Sequence, residues 1–81
     1  MFTVYILKDK NGKLYKGATS NLSRRMKEHK RGKTKTTFAM PEIELIYKEE
    51  YSSWEEARKR EIYFKTAAGR RFIKRTISSV G

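Results

Sequence analysis

Three features of the chain predict an α+β fold, a small and mostly antiparallel three-stranded sheet flanked by helices in the order β-β-α-β-α-α. Two short runs rich in β-branched and aromatic residues, Phe2 to Lys8 and Leu14 to Gly17, flank the turn signal Asp9-Lys10-Asn11-Gly12-Lys13. Helix-start signals follow at Asn21 and Ser53, and between them lies a third extended run from Ile43 to about Tyr51. Length supplies the rest, because 81 residues provide for a single core and three short strands need a cover of helices. Residues 1–81 are therefore expected to form one domain, with no repeat, linker or low-complexity segment.

The hairpin comes first, and its loop length decides which side chains share a face. A two-residue Asn11-Gly12 turn would pair Lys10 with Lys13 and put Tyr5 and Tyr15 on opposite faces. A three-residue loop of Lys10, Asn11 and Gly12, with Gly12 left-handed in a bulge, pairs Asp9 with Lys13 and sets both tyrosines on one face. Next, Ala18-Thr19-Ser20-Asn21 offers an N-cap, and Leu22 to Arg31 reads as a helix with a basic last turn, closed by Gly32. Lys33 to Met40 is a Thr- and Lys-rich loop, and Pro41 marks the approach to the third strand. Along that strand Ile43, Leu45 and Tyr47 alternate with charged or exposed-looking neighbours, which predicts one inward face. Ser53-Trp54-Glu55-Glu56 is a capping box, so a second helix is expected from there to about Ala68, where Gly69 stops it. Arg70 to Ile77 completes the chain as a short basic helix.

Polar residues stand where apolar ones are expected. The inward stripe of the first helix, starting at Leu22, contains Leu22, Arg25, Met26 and His29, of which two are polar. The plain alternative is that Arg25 lies at the margin with its head in water and that His29 frays in the last turn. On the second helix Trp54, Ala57, Glu61, Phe64 and Ala68 fall on one strip with Glu61 near its middle. An unpartnered buried carboxylate costs several kcal/mol, so Glu61 must meet a cation, meet a metal or look into an open cleft; a salt bridge to Arg25 or Arg58 is the structural option. Tyr5 and Tyr15 read singly as cross-strand packing. Taken together, two phenols, a guanidinium, an imidazole and a carboxylate are all expected to face one sheet-helix junction, a convergence that suggests a site.

Composition narrows what such a site acts on. A net charge of +11 favours a polyanionic partner, and nucleic acid comes first. Arg24, Arg25, Lys27, Lys30, Arg31, Lys33 and Lys35 form one basic block and Arg70, Arg71, Lys74 and Arg75 a second, whereas most acids lie between Glu42 and Glu61. Phe38 and Trp54 are candidates to stack on bases, with packing as the alternative. The absence of cysteine rules out a disulfide scaffold, a thiolate metal site and a cysteine nucleophile. No apolar run approaches the roughly 20 residues that span a bilayer, and nothing near Met1 reads as a signal peptide, so no membrane and a cytoplasmic location are expected.

Thr3-Val4-Tyr5, followed ten positions later by Tyr15-Lys16-Gly17 and then by Asn21-Leu22, Arg25 and His29, resembles the GIY-YIG nuclease family over nearly the whole chain. The stretch Ala57 to Lys65, with Glu61 inside Lys59-Arg60-Glu61-Ile62, resembles the metal-binding helix of that family. The ending Gly69-Arg70-Arg71-Phe72-Ile73 resembles its small single-domain bacterial (YhbQ-like) members, relatives of a nuclease domain found in bacterial excision repair. The resemblance implies that Tyr5 and Tyr15 are the motif tyrosines, Arg25 the phosphate-binding arginine, His29 a position held by His or Tyr, and Glu61 the sole protein ligand of one divalent cation. Thr3 replaces the Gly of the family name, Lys16 the Ile, and Ala18 a Lys carried by many catalytic members.

The expected activity is endonucleolytic hydrolysis of phosphodiester bonds with little sequence specificity, on DNA ahead of RNA, with Mg²⁺ or Mn²⁺ held by Glu61 and Arg25 clamping the phosphate. Tyr5 is the favoured base for the attacking water, with Tyr15 orienting water or phosphate. A monomer is expected, dimerising at most transiently on substrate. Three other readings stay open: a catalytically weak nucleic-acid-binding module, a module docking on an acidic protein, and a small ribosome-associated protein that prefers structured RNA.

Overall fold

A computed structural model describes residues 1–31 and 42–78. Its central strand, β1 (Phe2–Lys8), pairs antiparallel with β2 (Leu14–Thr19) on one side and with β3 (Glu44–Tyr51) on the other. Helices α1 (Leu22–Lys30), α2 (Trp54–Phe64) and α3 (Ala67–Ser78) complete the expected α+β order. Gly32, the Lys33 to Met40 stretch with Lys33, Lys35 and Phe38, and Pro41 lie outside the described residues.

The hairpin takes the three-residue loop. Lys8 pairs with Leu14, Leu7 with Tyr15 and Tyr5 with Gly17, and Gly12 has a φ of 86°, which a side chain would strain. Asp9 organises the turn: its backbone N–H donates to the Lys13 carbonyl at 2.9 Å, and its Oδ1 accepts the N–H groups of Asn11 and Lys13 at 2.9 and 2.7 Å. That carboxylate is buried, and the turn's own amides satisfy it.

Strand alternation splits the molecule into two faces. Val4 and Ile6 project from one and join Ala57 and Phe64 of α2 and Ile73 of α3 in the apolar core, with Leu14, Ala18, Ile46, Tyr47 and Phe72 packed around them. On the same side an ion pair ties β3 to α2. Arg60 donates from Nε and a terminal nitrogen to the two Glu49 oxygens at 2.8 and 3.1 Å, and Tyr47 and Tyr51 donate their hydroxyls to the same carboxylate at 2.5 and 2.6 Å. The guanidinium also lies 4.7 Å from the centres of the Phe64 and Phe72 rings and 4.9 Å from that of Tyr63. Burial alone would raise the Glu49 carboxyl, but Arg60 and the two phenols outweigh it and hold it below its ordinary value. The other face carries Tyr5 and Leu7 and is covered by α1, as the contact between Tyr5 and His29 shows.

Two local expectations are corrected. Strand β3 does not alternate evenly, because the register shifts by one residue between Ile6 and Leu7 and leaves Ile46 as the extra residue of a bulge. Ile46 and Tyr47 therefore both pack against the core, while Leu45 pairs with Leu7 and is partly exposed. The second helix does not run to Ala68. It ends at Phe64, and Thr66 starts α3, its Oγ1 accepting the Gly69 N–H at 3.1 Å and donating to the Tyr63 carbonyl at 2.6 Å. Gly69 sits inside the first turn of α3 for want of space, since a Cβ there would lie 2.6 Å from the Phe64 Cα and closer still to the Tyr63 carbonyl oxygen. The capping box itself is in place, with Ser53 Oγ accepting the Glu56 N–H at 3.2 Å.

Candidate active site

Side chains from β1, β2 and α1 meet over the Tyr5 face. Asn21 caps α1 by accepting the Arg24 N–H on Oδ1 at 3.0 Å, which fixes where the helix starts and so which residues turn inward. Leu22, Arg25, Met26 and His29 are the inward set, each half-buried except His29, which is fully buried. His29 is thus no frayed end: its Nε2 lies 2.8 Å from the Tyr5 hydroxyl, which is itself buried. The Tyr15 ring centre is 4.8 Å from that of His29 and 6.1 Å from that of Tyr5, so the two phenols flank one imidazole. Gly17 makes this possible, because a Cβ at that position would lie 2.6 Å from the Tyr5 hydroxyl and 3.0 Å from the Tyr15 ring.

Electrostatics at the cluster keep the proton on the phenol and off the imidazole. Burial pushes the Tyr5 phenol up to about 12, with Arg25 pulling the other way and Tyr15 adding to the rise. Burial lowers His29, and the Arg25 charge lowers it further against a smaller opposing effect of Glu28. Arg25 is held more firmly protonated than usual, chiefly by its closeness to the Tyr5 oxygen and then to that of Tyr15. With the imidazole neutral and the phenol protonated, the 2.8 Å contact is a neutral hydrogen bond along which a proton can pass. Glu28, absent from the expected set, steadies the clamp. Its Oε2 accepts from Arg25 at 3.1 Å and its Oε1 lies 3.6 Å from Arg24 Nε. The i,i+3 and i,i+4 spacing of Arg24, Arg25 and Glu28 is the signal that could have found it.

Glu61 comes from α2. It is buried on the inward strip of α2 between Ala57 and Phe64, the helix that covers the Val4 face, and its carboxylate pairs with Arg58 at 2.5 Å and Lys65 at 3.5 Å. Of the two structural partners expected for it, Arg58 is the one found. Of the five expected residues, Tyr5, Tyr15, Arg25 and His29 come from β1, β2 and α1, and Glu61 comes from α2; Trp54 and Ala68, expected on the same strip, are exposed, and Ala68 belongs to α3. No group of three His, Cys, Asp or Glu capable of holding a metal occurs among the described residues. A lone carboxylate suits a hard ion held mainly through water, and Arg58 and Lys65, both half-exposed, occupy its two oxygens in this structure.

The basic blocks divide in the same way. Arg24, Lys27, Lys30 and Arg31 stand exposed on α1 and its C-cap, and Arg70, Arg71, Lys74 and Arg75 stand exposed on α3. Between α1 and the start of α2 runs a shallow groove of about 430 Å³ that brings Arg24 and Arg25 together with the half-exposed Trp54 and the β2 end at Ala18 and Thr19. No helix of the described residues is long and apolar enough to cross a membrane.

A buried tyrosine-histidine pair beside a second tyrosine and an arginine, on a β-β-α-β-α-α frame, defines a class of catalytic domain. The family model described as the GIY-YIG catalytic domain matches residues 1–74, and the chain belongs to that family. It is 42% identical over 62 residues to a UPF0213 protein of Bacillus licheniformis, a match spanning 75% of this chain and 64% of that one. It is 39% identical over 72 residues to a UPF0213 protein of Staphylococcus haemolyticus, with 88% of each chain covered. The solution NMR structure of a UPF0213 protein from Bacillus halodurans superposes with a TM-score of 0.58 at 34% identity, covering 99% of this chain and 85% of that one.

Proposed function

We propose that this protein is an endonuclease that hydrolyses phosphodiester bonds with little sequence specificity, on DNA ahead of RNA. The observation that carries the reading is the buried Tyr5 to His29 hydrogen bond at 2.8 Å, flanked by Tyr15 and Arg25. Arg25, permanently charged and partly exposed, takes the scissile phosphate and favours the charge that grows on it in the transition state. With a phenol near 12, a preformed Tyr5 phenolate is scarce at neutral pH. Tyr5 therefore works as a relay: its oxygen accepts the proton of the attacking water as its own proton passes to Nε2 of neutral His29. Tyr15, half-buried beside the imidazole, orients the water. A divalent cation, Mg²⁺ or Mn²⁺, held by Glu61 through water would supply charge for the phosphate and leaving oxygens.

Phosphate contacts from Arg24, Lys27, Lys30 and Arg31 position the substrate and carry no sequence information, which accounts for the low specificity. The decisive experiment is nicking of supercoiled plasmid and branched DNA with Mg²⁺ or Mn²⁺ by the wild type, Tyr5→Phe and Glu61→Ala. Cleavage by the wild type alone is expected. One observation favours a second reading, a binding module with weak catalysis: both Glu61 oxygens are already engaged by Arg58 and Lys65. Salt-sensitive binding without cleavage, unchanged in Glu61→Ala, would establish that reading in place of the first.

A further inference from the structure

On the sheet face away from Tyr5, beside the hairpin turn, lies a cavity of about 310 Å³, at the lower end of the roughly 300–1,000 Å³ typical of small-molecule sites. Lys8, Lys16, Arg70 and Lys74 wall it, and no acidic side chain lines it. Among the described residues none of the four is paired with a carboxylate, whereas Arg24, Arg25, Arg58, Arg60 and Lys65 all are. The half-buried Leu14 and Ile46 and the buried Ile73 complete the lining, so the cations share the cavity with an apolar surface.

Lys16 is the informative residue. It stands where the family motif has Ile, it pairs with Ile6, and it projects beside the apolar core. Burial lowers its ammonium from the ordinary value, and the nearby Arg70 and Lys65 charges lower it further. A cation placed at a cost among other cations is repaid when an anion arrives to neutralise them. A bare inorganic anion would leave the half-buried Leu14 and Ile46 uncovered; an anion with a flat apolar body would cover them.

We propose that this cavity binds a nucleoside phosphate, its phosphoryl group held by Lys16, Arg70 and Lys74 and its base laid on Leu14 and Ile46. The ligand is either a free nucleotide or the terminal nucleotide of a strand. Arg25 cannot serve this phosphate, because Lys16 and Tyr5 point from opposite faces of the sheet. The site therefore stands whether or not the protein hydrolyses phosphodiesters.

The test is an NMR titration of the isotope-labelled protein, without divalent metal, with adenosine 5′-monophosphate, adenosine, inorganic phosphate and a short 5′-phosphorylated single strand. The monophosphate is expected to shift the amides of Lys8, Leu14, Lys16 and Ile73, and to bind about tenfold more tightly than adenosine or inorganic phosphate. Equal binding of the phosphorylated strand identifies a strand end as the ligand; binding of the monophosphate alone identifies the free nucleotide. Lys74→Glu, at an exposed position, and Lys16→Ile, which restores the residue of the family motif, should each weaken the monophosphate about tenfold while keeping the amide spectrum of the fold. Inorganic phosphate binding as tightly as the monophosphate, shifts confined to Tyr15 and α1, or affinity unchanged in both folded variants would overturn the proposal.

Discussion

On the Val4 face, α2 and α3 bring Phe64, Phe72 and Tyr63, and β3 brings Tyr47, around apolar strand residues, and the Glu49 carboxylate paired with Arg60 also accepts the hydroxyls of Tyr47 and Tyr51. On the Tyr5 face, α1 lays a histidine and an arginine over two phenols, Tyr5 of β1 and Tyr15 of β2, and the arginine keeps part of its surface exposed. One side of the sheet thus carries a saturated polar cluster, Glu49 with Arg60 and two phenols, and the other carries Arg25 and Tyr15, which stay partly exposed beside a buried phenol-imidazole pair. A small domain has room for this division because β1 is buried from both sides.

Substitutions on the two faces should therefore separate stability from activity. Phe64→Ala should have the largest effect, about 3–5 kcal/mol of stability lost in urea or thermal unfolding, because the ring is fully buried and sits under Arg60. Tyr5→Phe should do the reverse. Plasmid nicking should fall about 100-fold or more while unfolding shifts by only about 1 kcal/mol, the net worth of a hydrogen bond. A Tyr5→Phe protein as unstable as Phe64→Ala would break the comparison. Glu49→Gln should cost about 1–3 kcal/mol by leaving Arg60 and two phenols with a weaker acceptor, without changing cleavage per folded molecule.

Acid should sharpen the contrast, since each face has its own titration window. His29 is depressed in the fold, so the stability it contributes is complete above about pH 6.5 and is lost as pH falls through its folded value. Glu49 is also depressed, and its contribution is complete above about pH 4.5 and is lost below that. Denaturation followed from pH 7 to 3 should show two declines, and His29→Gln should remove the first alone. Nicking should decline with that first step, because a protonated imidazole cannot take the Tyr5 proton. Asn21→Ala should have the smallest effect, about 1 kcal/mol from the lost cap of α1, read by unfolding.

Much of the site was legible because it depends on short-range geometry. The Asn11-Gly12 turn decided the tyrosine faces once its loop length was taken as three, and the spacing of Leu22, Arg25, Met26 and His29 located the inward stripe of α1. What escaped depends on partners distant in sequence or on competition between equals. Nothing in Ile43 to Tyr47 distinguishes an even alternation from a bulge, because Leu45 and Ile46 are equally apolar. Thr66 ended α2 before Gly69 could, since its hydroxyl served both the Tyr63 carbonyl and the Gly69 amide. Glu61 reads from its helical position as a buried carboxylate, but which cations meet it was open until Arg58 and Lys65, one turn to either side, proved to pair with it on its own helix.

The cramped quarters at Gly17 bear on how relatives should be judged. Adding a single methyl there displaces the Tyr5 hydroxyl from His29 while every polar member of the cluster stays in the sequence. A homologue with alanine at this position would keep every polar side chain of the cluster and still lose the bond between Tyr5 and His29, so the bare α-carbon of Gly17 is as much a part of the arrangement as either tyrosine.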